Sequence, residues 1–166
     1  MTAEATGFDS IDVSDHFHPW DEKGNACFTW TWLGAAAAKT SRIELGNGVN
    51  CPILRYHPAV VAQASATLGI FDHGRSYLVV GTGEVLNEYA VTGLRPDYDE
   101  YQGMLWEAIE IIRALWLGDE VNYNGAYYHT RKAKLYTRTD KPIPFYISTM
   151  VPESSEFARM HGERWA

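Results

Sequence analysis

Apolar and polar positions along the chain alternate between two periods. Short apolar runs are spaced by longer stretches with helical patterning. The segment Ser10 to Ser14 alternates like a strand, and a helix is expected from about Ala26 to Lys39. Arg42 to Gly46 reads as a second strand. Pro58 then opens a helix running to about Leu68, at a position where its missing N–H does no harm. Ser76 to Gly81 has the continuous apolar character of a strand buried on both faces.

The clearest helix starts at Asp97, which with Glu100 has the spacing of a capping box. Leu105, Ala108, Ile109, Ile112, Leu115 and Trp116 recur at helical spacing and predict one buried face, and Gly118 supplies a stop. A hairpin is expected next. Asn124-Gly125 would be its turn, between Val121-Asn122-Tyr123 and Tyr127-Tyr128-His129. Ile143 to Ser148 reads as a fourth parallel strand, and Pro152 opens another helix. No internal repeat or low-complexity stretch interrupts this order.

Four strand–helix units in series predict an α/β fold with a parallel sheet, and both doubly wound sheets and (β/α) barrels satisfy the pattern. In either, chemistry gathers at the carboxyl ends of the strands. Those loops hold Asp15, His16, His18 and Trp20 after the first strand and Gly46 to Pro52 after the second. They hold Gly81 to Glu88 after the third and Ser148 to Pro152 after the fourth. A histidine and a glutamate on neighbouring strand ends form a reasonable proton-transfer pair.

Two other readings of these loops are weaker on composition. Gly81-x-Gly83 follows a strand as a dinucleotide loop would, but Leu86 stands where the third glycine belongs. His16-x-His18 could begin a metal site only with further ligands at other strand ends, and none sits there. His57, His73, His129 and His161 are expected on the surface or in packing roles.

Composition narrows the classes further. The chain has 166 residues, enough for one domain with a core, with 46% hydrophobic and 21% charged residues. Aromatic residues make up 13%, a supply suited to cores and to pockets for flat rings. A net charge of −7 argues against a nucleic-acid partner. Cys27 and Cys51 form no close pair, which fits a reducing compartment. No apolar run reaches the roughly 18 residues of a membrane helix, and the N-terminus lacks signal-peptide character. A soluble cytoplasmic protein is expected.

Three separated segments resemble one family. They are Ser14-Asp15-His16-Phe17-His18-Pro19-Trp20, Arg55-Tyr56-His57-Pro58-Ala59-Val60-Val61-Ala62-Gln63-Ala64 and Val80-Gly81-Thr82-Gly83-Glu84-Val85-Leu86-Asn87-Glu88. Together, in this order, they are similar to the coenzyme F420-dependent glucose-6-phosphate dehydrogenase family of luciferase-like oxidoreductases. The likeness runs from about Gly7 to Gly162. It implies a (β/α)8 TIM barrel of the luciferase-like type and hydride transfer between an alcohol or sugar-phosphate carbon and the deazaflavin F420. FMN, used by monooxygenases of the same barrel, is the alternative cofactor. A small-molecule substrate and, for the full-length family, a homodimer are also implied.

The resemblance assigns roles residue by residue. His16 matches the histidine that exchanges a proton with the substrate hydroxyl, Glu84 its acid/base partner, and Trp20 the tryptophan over the reaction centre. Asp15 matches an aspartate that hydrogen-bonds the cofactor ring. Gly48-Val49 falls where the family has a non-prolyl cis peptide behind the deazaflavin. Cys51 replaces a threonine that contacts the cofactor, and Thr82, Gly83 and Asn87 match further contacts. Met150-Val151 replaces a glycine pair whose backbone N–H groups meet the cofactor phosphate. Only barrel strands two to five are expected here, within a single partial domain spanning residues 1–166. The basic residues for a sugar phosphate would lie elsewhere, and a half-barrel would expose two strand edges and a large apolar face. A truncated, non-catalytic remnant is a further alternative.

Overall fold

The structure, a computed structural model, describes residues 2–149, 152–161 and 164–165. A short helix α1 (Thr2–Ala5) precedes strand β1 (Ser10–Val13), helix α2 (Thr29–Ala37), strand β2 (Glu44–Asn50) and helix α3 (Pro58–Phe71). Strand β3 (Ser76–Val80) is followed by helices α4 (Val85–Thr92) and α5 (Tyr98–Leu117). Strands β4 (Val121–Asn124) and β5 (His129–Ala133) form a separate antiparallel pair. Strand β6 (Phe145–Ile147), helix α6 (Pro152–His161) and strand β7 (Arg164–Trp165) complete the described elements.

The main sheet is parallel, in the order β1-β2-β3-β6-β7. It carries one more strand than the four expected, because Arg164–Trp165 pairs with Tyr146 and Ile147. The described strands form an open sheet, with β1 and β7 at its edges.

Alternation along the strands separates two faces. Leu45, Leu78, Val80, Phe145 and Ile147 point to the helices, where they pack with Leu33 and Leu68 on one side and Val61, Ile109 and Ile112 on the other. Each such fully buried side chain contributes roughly 1.5–3 kcal/mol. The indole N–H of Trp116 on α5 donates to the Ala62 carbonyl of α3 at 3.2 Å, fixing the two helices against each other.

The opposite face is not the large apolar surface expected. The Tyr77 hydroxyl donates to Asp12 Oδ2 at 2.6 Å and its ring meets Tyr146 edge-on, so this face is polar and aromatic. The same side chains explain why β2 extends through Asn50 when Gly46 to Asn50 reads as loop. A Cβ at Gly46 would collide with Asp12 and Tyr77, so bare backbone is what fits between them.

Two local predictions are met and one is shifted. The Asp97 carboxylate accepts from Glu100 N while Glu100 accepts from Asp97 N, both at 2.9 Å, completing the capping box of α5. Gly118 ends that helix in the left-handed region at φ 89°. The hairpin turn, however, is not Asn124-Gly125 alone. The connection spans Gly125 to Tyr128, because the buried Glu107 carboxylate accepts from three consecutive N–H groups, of Ala126, Tyr127 and Tyr128. Those N–H groups are turned to an anion and are lost to the ladder.

Candidate active site

The strand ends converge on a cavity of about 320 Å³. Its wall includes backbone of Gly48, Val49, Gly81 and Gly83, and the peptide Gly48–Val49 is cis. A Cβ on Gly81 would stand 2.9 Å from Val49, and Gly83 adopts φ +78° against Cys51 and Glu88. At Gly81 and Gly83 a side chain would run into Val49, Cys51 and Glu88, so bare backbone is what fits there. Thr82 also lines the cavity.

His16, after β1, and Glu84, after β3, meet at the rim. His16 Nε2 lies 3.9 Å from Glu84 Oε2, with the imidazole largely shielded and the carboxylate about half exposed. The Trp20 ring leans over His16, with centroids 5.0 Å apart and planes tilted by 47°. Trp20 is 80% exposed, so it shields one side of the histidine and leaves its own outer face open.

Asn87 holds the loop carrying the histidine. Its side-chain oxygen accepts from Phe17 N at 2.9 Å and His18 N at 3.0 Å, and its amide nitrogen donates to Glu84 Oε2 at 3.3 Å. Asn87 is buried within α4, a helix in a segment read from sequence as loop. His18 packs edge-on against Phe17 and its imidazole meets no metal-binding partner in the described structure. Among the described residues, no group of three or more His, Cys, Asp or Glu side chains could hold a metal ion.

Asp15 is the hub of a buried polar network beneath the rim. Asp15 Oδ1 accepts from Tyr56 Oη at 2.9 Å, and Oδ2 accepts from Asn50 Nδ2 at 2.7 Å and faces Arg55 Nη2 at 3.2 Å. Arg55 Nε donates to Glu88 Oε1 at 2.9 Å. Burial pushes the Asp15 carboxyl above its ordinary range, against the pull of Arg55 and Tyr56. Burial, reinforced by the Asp15 charge, also pushes the Tyr56 hydroxyl up, so it stays a donor.

Cys51 lines the cavity as a buried thiol. Burial raises it far above the ordinary thiol range, and its S–H is committed to the carbonyls of Ile53 and Thr82, each at 3.5 Å. Met150 and Val151, expected near the cofactor phosphate, lie outside the described residues. Sequence reasoning gave no role to Asn50, Arg55, Tyr56 or Glu88. Arg55 was within reach of it, since a lone cation between a strand end and a helix start in an acidic chain needs a carboxylate partner.

A family model described as luciferase-like monooxygenase matches residues 1–166. The chain belongs to that family. Its curated relatives include an F420-dependent glucose-6-phosphate dehydrogenase from Gordonia bronchialis, 45% identical over 98% of this chain and 49% of that protein. An F420-dependent hydroxymycolic acid dehydrogenase from Mycobacterium tuberculosis is 43% identical over 99% of this chain and 46% of its own length. Among solved structures, an F420-dependent secondary alcohol dehydrogenase bound to an F420-acetone adduct superposes with a TM-score of 0.95 at 41% identity. It is matched over 98% of this chain and 50% of that one. The chain spans about half the length of the curated relatives it matches. Luciferase-like TIM-barrel proteins are thus its structural neighbours, and its parallel sheet corresponds to about half of such a fold.

Proposed function

We propose that this chain carries the cofactor-facing, proton-exchanging part of an F420-dependent dehydrogenase acting on an alcohol or sugar-phosphate carbon. The observation that carries the reading is the His16–Glu84 pair at 3.9 Å on the rim of a glycine-floored cavity. The cavity fits a flat ring. Its volume lies within the range of small-molecule sites, and Gly48, Gly81 and Gly83 bring backbone to its lining.

The deazaflavin, when bound, accepts or returns the hydride. Gly48, Val49, Thr82 and Gly83 would hold it, with Asp15, Cys51 and Asn87 completing the wall. His16 takes the proton of the substrate hydroxyl at Nε2 as the carbon loses its hydride. Glu84, across 3.9 Å, stabilises the charge that then develops on the imidazole. Trp20 leans on His16 and keeps water from that side. No Lys or Arg side chain is among the described residues lining the cavity. The phosphate of a sugar phosphate would therefore be held by residues other than those that line this cavity. A cytoplasmic, homodimeric full-length enzyme belongs to the same reading.

The test is turnover followed by loss of the oxidised deazaflavin's visible absorbance, with 2-propanol and glucose 6-phosphate as substrates. His16→Ala and Glu84→Gln are expected to slow the wild-type rate about 10²-fold or more, the usual range for losing a positioned acid/base group. Variant rates within twofold of wild type would overturn the assignment.

A further inference from the structure

We infer that Arg55 is a positioning residue that sets the His16–Glu84 distance by tying the two loops that carry them; the inference rests on the pair's proposed role. His16 and Glu84 belong to different strand ends, and their contact at 3.9 Å is too long for a hydrogen bond to hold them together. Something else fixes the gap.

The guanidinium of Arg55 spans it. On one side Nη2 donates to the backbone carbonyl of Asp15 at 2.6 Å and pairs with Asp15 Oδ2 at 3.2 Å, gripping the residue before His16. On the other, Nε donates to Glu88 Oε1 at 2.9 Å, and Glu88 Oε2 in turn accepts from the backbone N–H of Glu84 at 2.7 Å. The chain of contacts therefore runs from the backbone beside His16 to the backbone of Glu84 through one planar cation. The remaining nitrogen, Nη1, donates to Tyr56 Oη at 3.4 Å, and the guanidinium lies over the Tyr56 ring at 5.1 Å. These contacts lock its plane.

Burial makes the tie stiff. The Arg55, Asp15 and Glu88 side chains are nearly inaccessible to solvent, so no water competes for these bonds. Asn87 adds a parallel link, from the N–H groups of Phe17 and His18 to the Glu84 carboxylate. Asn87 grips the loop after His16, whereas Arg55 grips it before. A lysine could not replace Arg55. A single ammonium on a flexible stem has no fork with which to engage Asp15 and Glu88 in fixed directions.

Arg55→Lys tests this, with Glu88→Gln as a second variant that keeps the volume and removes the acceptor charge. Arg75→Lys is the control. Arg75 ties loops at the opposite end of the sheet, through the carbonyls of Asp72, Thr40 and Ile43, and touches nothing in the site. The primary readout needs no cofactor: the nuclear Overhauser effect between the His16 imidazole and Glu84 side-chain protons. Loss or a severalfold weakening in Arg55→Lys and Glu88→Gln, with Arg75→Lys unchanged, is the expected result. Single-turnover hydride transfer should then fall on the order of 10- to 100-fold, as misplacement by about 1 Å does.

Folded Arg55→Lys and Glu88→Gln proteins that keep the wild-type effect would overturn the inference. If either fails to fold, the other variant decides. Should the effect be lost while His16→Ala and Arg55→Lys both leave turnover unaltered, Arg55 still positions the pair and the pair's catalytic role is what fails.

Discussion

Gly83→Ala tests how tightly the cavity floor is tied to the network beneath it. Gly83 sits at φ +78°, where an alanine costs about 1–2 kcal/mol by itself. The new Cβ would also stand 2.6 Å from Cys51 Sγ and 2.7 Å from the Glu88 carboxyl carbon, closer than real Cβ atoms come. Glu88 cannot yield without releasing the Glu84 N–H at 2.7 Å, a bond to a charged acceptor worth about 1.5–3 kcal/mol. Together these give about 2.5–5 kcal/mol, a large share of the roughly 5–15 kcal/mol that holds a domain folded. Urea denaturation reads the total. Gly83→Ala/Cys51→Ala should recover less than half, because removing the sulfur leaves the Glu88 clash and the backbone cost in place. A Gly83→Ala midpoint indistinguishable from wild type would refute the reasoning, as would full recovery in the double variant.

Two further predictions concern parts of the fold away from the site. Glu4 Oε1 accepts from the backbone N–H groups of Ser41, Arg42 and Ile43, and these bonds lower its carboxyl from 4.5 to about 2. A depressed folded-state value means that the stabilisation is fully present above pH 4.5 and is lost as pH falls towards about 2. The denaturation gap between wild type and Glu4→Gln should therefore close over that window, and a gap independent of pH would contradict it. Glu107→Gln leaves one acceptor facing three N–H donors, at an expected cost of about 2–4 kcal/mol and with faster amide exchange at residues 126–128.

Local rules that act within a few residues were legible in the sequence. The Asp97–Glu100 box, the Gly118 stop and the apolar face of α5 depend on spacing along one helix, and each stands where the spacing put it. The rule that strand ends gather chemistry pointed to His16 and Glu84 on neighbouring strands; the structure brings the two together from β1 and β3, with β2 between them. What was not legible depends on contacts across the sequence. Helix α4 hides because its buried residues are Asn87 and Glu88 while Val85, Leu86 and Tyr89 are exposed, the reverse of an amphipathic pattern. Asn124-Gly125 signals a tight turn, but Glu107, seventeen positions before Asn124, widens it. Arg55 carries no periodic signal, and only the fold shows that Asp15 and Glu88 flank it.

The proposed function requires that the cavity lined by Gly48, Gly81 and Gly83 take the deazaflavin ring. Its most direct test is a fluorescence titration of the purified, folded chain with coenzyme F420, run beside an identical titration with FMN. Saturable binding of F420 at least tenfold tighter than that of FMN, weakened in Gly83→Ala, is the expected result. A folded chain that leaves the F420 signal unchanged, or that binds FMN as tightly or more so, would contradict it.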